Sequence, residues 1–155
     1  MEIERKFLIK NLPENILSAC EFAEIEQEYL DFGEGESPEI RIRRLTKNGI
    51  TEYFYTEKGK GDLSREEEEY EISEYSYKKL RELSVARSLH KKRYYFPLSP
   101  LTVEIDVYEG SLAGLTVAEV EFSSVEESEE FIPPEWFDSE ITYDKSYKNK
   151  NLAQK

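Results

Sequence analysis

The chain has a single cysteine, Cys20, a single histidine, His90, and no long apolar run in its 155 residues. One thiol excludes an internal disulfide. One imidazole excludes a His-based metal cluster and leaves no credible Ser–His–Asp arrangement. A bilayer-spanning helix needs roughly 18 or more apolar residues, and no stretch approaches that. Nothing at the N-terminus resembles a signal peptide. These absences predict a soluble cytoplasmic protein with no membrane partner. Positive charge is also short: 21 Lys and Arg stand against 34 Asp and Glu, a formal net charge of −13. Sequence-independent nucleic-acid binding needs a basic surface, so no nucleic-acid partner is expected. A small anionic ligand is not excluded. There is no phosphate-binding glycine-rich loop either. Gly59-Lys60-Gly61-Asp62 reads as a turn rather than a Walker motif.

What is present is alternation. The length suits one domain, residues 1–155, with one core. Eleven Tyr and eight Phe beside 35% charged residues suit strands rather than disorder. Period-2 patterning predicts eight strands. They run over Glu2–Lys10, Phe22–Phe32, Glu39–Leu45, Thr51–Lys58, Arg65–Ile72, His90–Phe96, Leu101–Tyr108 and Leu115–Phe122. Asn48-Gly49 is a strong hairpin signal between the third and fourth. Tyr77, Leu80, Leu83 and Ala86 recur at helical spacing and predict a helix over Glu74–Ser88. A short helix over Ser124–Glu130 and another near Leu152 complete the reading.

Eight antiparallel strands suit a closed barrel, which removes exposed sheet edges. Each strand has one charged and one apolar face, so two arrangements are open. The apolar faces could fill the barrel with the charges in water. Or the charges could line the interior, with the apolar faces packed under helices outside. The second needs opposed charges to satisfy one another.

The acidic set is Glu2, Glu4, Glu67, Glu69, Glu104, Asp106, Glu119 and Glu121. Carboxylates at i and i+2 aim oxygen ligands at one point, which suits hard cations such as Mg²⁺ or Mn²⁺. A solvated strand face explains one such pair, but four pairs on four strands are less easily dismissed. The basic set is Lys6, Arg41, Arg43, Lys58, Arg65, Lys91 and Arg93. Arginines at alternate positions offer forked donors to phosphate oxygens, and a polyphosphate would neutralise the group. Cross-strand salt bridging is the competing reading, worth only ~0–1 kcal/mol for an exposed pair. Tyr29, opposite Leu30, is a phenol that could hydrogen-bond a phosphate or position a water.

In their order these residues resemble the CYTH superfamily, the triphosphate tunnel metalloenzymes. The resemblance runs from Glu2-x-Glu4-x-Lys6 through Arg41-x-Arg43, Lys58-Gly59 and Arg65-x-Glu67-x-Glu69. It continues through Lys91-Lys92-Arg93-Tyr94, Glu104-x-Asp106 and Ala118-Glu119-Val120-Glu121 to Tyr147-Lys148-Asn149 with Leu152. It implies a mainly β, α+β fold: an eight-stranded antiparallel closed barrel with a charged lumen and helices outside. It implies a metal-dependent triphosphatase most similar to small bacterial inorganic triphosphatases, acting on a small triphosphate with Mg²⁺ or Mn²⁺. Glu67, Glu69, Tyr29 and Lys91 would be catalytic. Lys6, Arg41, Arg43, Lys58, Arg65, Arg93 and Lys148 would bind substrate. Glu2, Glu4, Glu104, Asp106, Glu119 and Glu121 would hold metal. The same scaffold also serves adenylate cyclases and thiamine triphosphatases, and a non-catalytic polyphosphate-binding module is a further alternative. A homodimer is left open.

Overall fold

The computed structural model describes residues 1–13 and 15–154. Its strands are β1 (Glu2–Leu8), β2 (Glu21–Phe32), β3 (Glu39–Lys47), β4 (Ile50–Lys58), β5 (Ser64–Arg65), β6 (Glu67–Ile72), β7 (Leu89–Leu98), β8 (Leu101–Tyr108) and β9 (Thr116–Glu121). The helices are α1 (Glu74–Arg81), α2 (Val125–Glu130) and α3 (Asn149–Leu152). All strands join one antiparallel sheet in the order β5-β1-β9-β8-β7-β2-β3-β4-β6. The two ends of that order are consecutive in the chain, parted only by Glu66. The fifth strand expected from the sequence is therefore divided. Its first residues pair with β1 (Glu2 with Arg65) and the rest with β4 (Lys58 with Glu67). This division nearly closes the sheet into a barrel, leaving a tunnel whose wall alternates in and out.

The charged faces point inward. Outside β1, β8 and β9, the core gathers Ile3, Phe7, Ile9, Val103, Ile105, Ala118, Val120 and Phe122. Phe131, Trp136 and Phe137 cover it, and the Phe7 and Phe137 rings stand 4.9 Å apart. Arg5, on the same outer face, fixes this cover in place. It forms two hydrogen bonds to Glu140, at 2.9 and 2.7 Å, and donates to the Ser128 and Phe131 carbonyls. The helices lie outside as expected. α1 packs on β2, β3 and β4, and α2 on β1. Much of the cover over β1 is nevertheless non-helical chain from Phe131 to Ile141.

Two local features aim side chains at the tunnel. Asn48 and Gly49 carry φ of 52° and 77°, the paired left-handed conformation that joins β3 to β4. This holds Arg41 opposite Thr56 and Arg43 opposite Phe54. Gly61 has φ 138°, and a Cβ there would lie 2.1 Å from the Ser64 carbonyl oxygen. Only glycine permits that return, which delivers Arg65 to β1.

The helix expected over Glu74–Ser88 ends at Arg81. Ser73 caps its start, accepting from the Ser76 N–H at 3.0 Å. Its end is set by tertiary pairing: the Val85 N–H donates to the Tyr29 carbonyl, and Leu83, helical by spacing, lies exposed. Replacing Phe7 by Ala is expected to cost about 3–5 kcal/mol of stability in urea unfolding, because it empties the outer core. A cost under about 1 kcal/mol would mean this face is not the core.

Candidate active site

The tunnel holds a cavity of about 370 Å³. Of the residues predicted to act, all line it except Lys91 and Asp106. β1 supplies Glu2, Glu4 and Lys6; β3 supplies Arg41 and Arg43; β5 and β6 supply Arg65, Glu67 and Glu69. Lys58 enters from β4, Arg93 from β7, Glu104 from β8, and Glu119 and Glu121 from β9. Tyr29 comes from β2, just before the irregularity at Leu30. Lys148 comes from the chain before α3.

Lys91 and Asp106 are fully buried and do not reach the cavity. The Asp106 carboxylate accepts from Arg93 Nε at 2.8 Å and Nη2 at 3.0 Å, and Lys91 Nζ lies 2.8 Å away. Burial opposes the Asp106 charge, but Arg93 and Lys91 outweigh it and hold the carboxyl well below its ordinary range. Burial pushes the Lys91 ammonium down to about 8, only partly offset by Asp106. Both oxygens of Asp106 are thus committed to cations. Strict alternation put it on the right face, and the sequence could not show that Arg93 would claim it.

Sequence reasoning missed Glu39 and Lys150, which also line the cavity. Glu39 holds Arg65 at 2.9 Å. The signal was available, since Glu39 shares the period-2 face of Arg41 and Arg43. Lys150 gave no strand signal, because the irregular C-terminal segment brings it in. That segment covers one end of the barrel. Leu152 and Ala153 pack against Tyr29, Leu89, Tyr108 and Val117, and Tyr108 hydrogen-bonds Asn149.

The lining is balanced at eight carboxylates and eight Lys or Arg side chains, yet locally it is not satisfied. The Nε donors of Arg41 and Arg43 are buried without hydrogen-bond partners. Burial and the neighbouring Arg41 and Arg93 cations push the Arg43 guanidinium down to about 10. Arg93 is held by Asp106 and Arg43 reaches Glu69 at 3.1 Å, so the shortfall lies at the Nε donors of Arg41 and Arg43, where three guanidinium groups crowd together. The acids show the converse. Burial and the nearby Glu119 charge push the Glu4 carboxyl up to about 8. Burial also raises Glu2, which shares a hydrogen bond with Glu67 despite the lowering pull of Lys58. Lys6 holds Glu119 at 3.3 Å. Burial works against the Glu119 charge, but Lys6 and Arg93 bring that carboxyl down to about 2. Tyr29 is buried and pushed up to about 12, so it stays a phenol. Its oxygen accepts from Gln27 at 3.2 Å, which leaves its own proton free to donate.

Among the described residues no three acidic side chains are grouped closely enough to hold a metal by themselves. The donor chemistry nonetheless suits a hard cation. Glu2, Glu4 and Glu67 are oxygen donors, and burial raises the Glu2 and Glu4 carboxyls, where a divalent ion would compete with the proton for the same lone pairs. Magnesium commonly takes one or two carboxylates and completes its shell with water and substrate phosphates.

Comparison with known proteins agrees with this architecture. The CYTH domain family matches residues 1–152. An inorganic triphosphatase of Nitrosomonas europaea is 41% identical, covering 98% of this chain and 96% of that one. An inorganic triphosphatase of Acetivibrio thermocellus is 31% identical, covering 99% and 93%. A crystal structure of an inorganic triphosphatase superposes with a TM-score of 0.69 at 36% identity, covering 100% of this chain and 95% of the other.

The Glu4 carboxyl makes stability depend on pH. Folded, it keeps its proton to about 8; unfolded, it releases it near 4.5. Between those values the folded state binds more protons, so raising the pH costs stability through this group. In chelator, the melting temperature of Glu4→Gln should fall less between about pH 5 and 8 than that of the parent protein. Parallel curves would refute the assignment.

Proposed function

This chain belongs to the CYTH domain family, and we propose that its tunnel hydrolyses the terminal phosphoanhydride of inorganic tripolyphosphate. The observation that carries this reading is the pair Arg41 and Arg43, whose Nε donors are buried and unmet and which crowd against Arg93. A chain of phosphates supplies both the missing charge and the missing acceptors. The high identity to inorganic triphosphatases over nearly the whole chain supports the same substrate class.

The roles follow from position. Arg41 and Arg43 grip phosphate oxygens through their forked donors, and Arg93, its Nε–Nη2 edge held by Asp106, adds its outer edge and charge. Lys6, Lys58, Arg65 and Lys148 add charge along the wall. Asp106 is a positioning residue: it fixes the Arg93 guanidinium by a two-point contact and shares its charge with Lys91. Lys91 therefore acts behind Arg93 rather than on substrate. Tyr29 donates its hydroxyl proton to a phosphate oxygen. Glu69 accepts from Arg43 at 3.1 Å and from Thr56 at 3.2 Å, which leaves Glu67 better placed to orient and deprotonate the attacking water.

The balanced lining bears on the cofactor. Adding a polyanion to eight acids and eight bases leaves excess negative charge. Glu2 and Glu4, with Glu67, Glu104, Glu119 and Glu121 around them, would hold Mg²⁺ or Mn²⁺. When bound, the ion neutralises charge developing on the phosphate oxygens. The protein's own part is to align the phosphate chain and exclude bulk water, which suits phosphoryl transfer. The setting proposed for this activity is the cytoplasm.

Three measurements test the reading. Tripolyphosphate with Mg²⁺ or Mn²⁺ should release phosphate, and excess chelator should abolish the release. Arg43→Ala should lower kcat/KM by about 10²–10³-fold while the circular dichroism spectrum persists. Incubation with ATP and Mn²⁺ should give ADP and phosphate; 3′,5′-cyclic AMP as main product would make the protein a cyclase instead. Full turnover in chelator would sink the metal-dependent mechanism.

A further inference from the structure

A second cavity, of about 300 Å³, adjoins the first. Glu39, Lys58, Arg65, Lys148 and Lys150 border both, so the two spaces abut along these side chains. Its walls are the Gly59–Asp62 turn and the chain from Lys145 to Asn151. Six cations meet there: Lys58, Lys60, Arg65, Lys145, Lys148 and Lys150. Two acids, Glu39 and Asp62, face them. Glu39 is held by Arg65 at 2.9 Å and Asp62 by Lys148 at 3.1 Å. Lys58 pairs with Glu2 at 3.1 Å. Among the described residues, Lys60, Lys145 and Lys150 have no carboxylate partner within 4 Å. Lys150 instead donates to the Phe32 carbonyl at 3.0 Å. Burial, and then Lys148, Lys60 and Arg65, lower its pKa, with Glu39 only partly opposing.

This basic concentration sits on a chain of net charge −13. At long range the protein repels a polyanion. The rest of the first cavity offers no relief, for Glu67, Glu69, Glu104 and Glu121 line it without bordering the second cavity, and Glu71 is exposed further along β6. The unpaired cations therefore gather at the second cavity, while the acids that line only the first cavity lie outside it. A concave site lined by one sign of charge focuses field lines and raises the local concentration of the oppositely charged solute, accelerating capture by 10–10³-fold.

We infer that this second cavity is the port through which the anionic substrate is captured, with Lys60 and Lys145 steering it toward the tunnel. Neither residue reaches the first cavity, so neither contacts a phosphate held at the arginines. The port is also mechanically defined. Lys148 Nζ donates to the Gly61 carbonyl at 2.9 Å, tying the C-terminal segment to the turn across its rim.

The inference rests on the triphosphatase reading, and the test separates the two. The variant is Lys60→Glu/Lys145→Glu, assayed with tripolyphosphate. The control is Lys78→Glu/Lys79→Glu on the exposed side of α1, which changes net charge equally. The port variant should keep kcat within about twofold and lose about tenfold in kcat/KM at low salt. The loss should shrink toward parity near about 0.5 M salt, where screening is short-ranged. The control should match the parent. Glu71→Lys, exposed on β6 and outside the second cavity, should leave kcat/KM unchanged. If the parent hydrolyses tripolyphosphate but the port variant matches it at low salt, or Glu71→Lys raises kcat/KM severalfold, the port is wrong and the triphosphatase reading stands. If the parent releases no phosphate at all, the triphosphatase reading itself fails.

Discussion

Charges inside a closed sheet must neutralise one another before anything else in the sheet can be stable. Desolvating a lone ion costs several kcal/mol, and removing one partner of a buried pair typically costs about 3–5 kcal/mol. The barrel meets this demand unevenly. Around Asp106 it is met in full, with Arg93 and Lys91 on one carboxylate. Around Arg41 and Arg43 it is left short, and around Glu2 and Glu4 burial works against the carboxylate charge and raises both carboxyls. The first region gives the wall a fixed shape. The other two mark where an anion and a cation complete the balance. Stability and binding are thus separated along one ring of side chains.

The inversion of the barrel follows from the same demand. With charges inside, the apolar faces need cover outside, and a chain of this length has few helices to give. The segment from Phe131 to Ile141 supplies much of it over β1, stapled by Arg5 to Glu140. Arg5 lies between Glu4 and Lys6 in sequence and on the other side of the sheet. One strand therefore carries the site on one face and anchors its cover with the other.

Much of this was legible in the sequence. Alternation placed Glu2, Glu4, Lys6, Arg41, Arg43, Glu119 and Glu121 on one face each, and the ordered motifs chose the inward arrangement. What alternation could not convey was partnership. Lys91 and Asp106 have the right parity and yet spend their charge on each other and on Arg93's contact with Asp106. Helical spacing likewise overran α1, because the Tyr29 carbonyl, distant in sequence, captures the Val85 N–H. The division of the fifth strand was equally hidden, since Arg65–Ile72 reads as one uniform alternating run. Lys60, Lys145 and Lys150 lie in turns and irregular chain, where periodicity carries no directional information.

That division leaves a mark on the ring. β5 pairs with β1 over two residue positions, whereas β3 and β4 pair over nine. A hoop riveted so lightly at one joint yields there first under any load, thermal or steric. The joint lies at Glu2 and Arg65, beside the carboxylates and at the rim shared by both cavities. The bore can widen there without unpicking the β7–β2–β3–β4 wall that carries Arg41, Arg43 and Arg93. The rigid part of the tunnel recognises, and the clasp is the part free to yield.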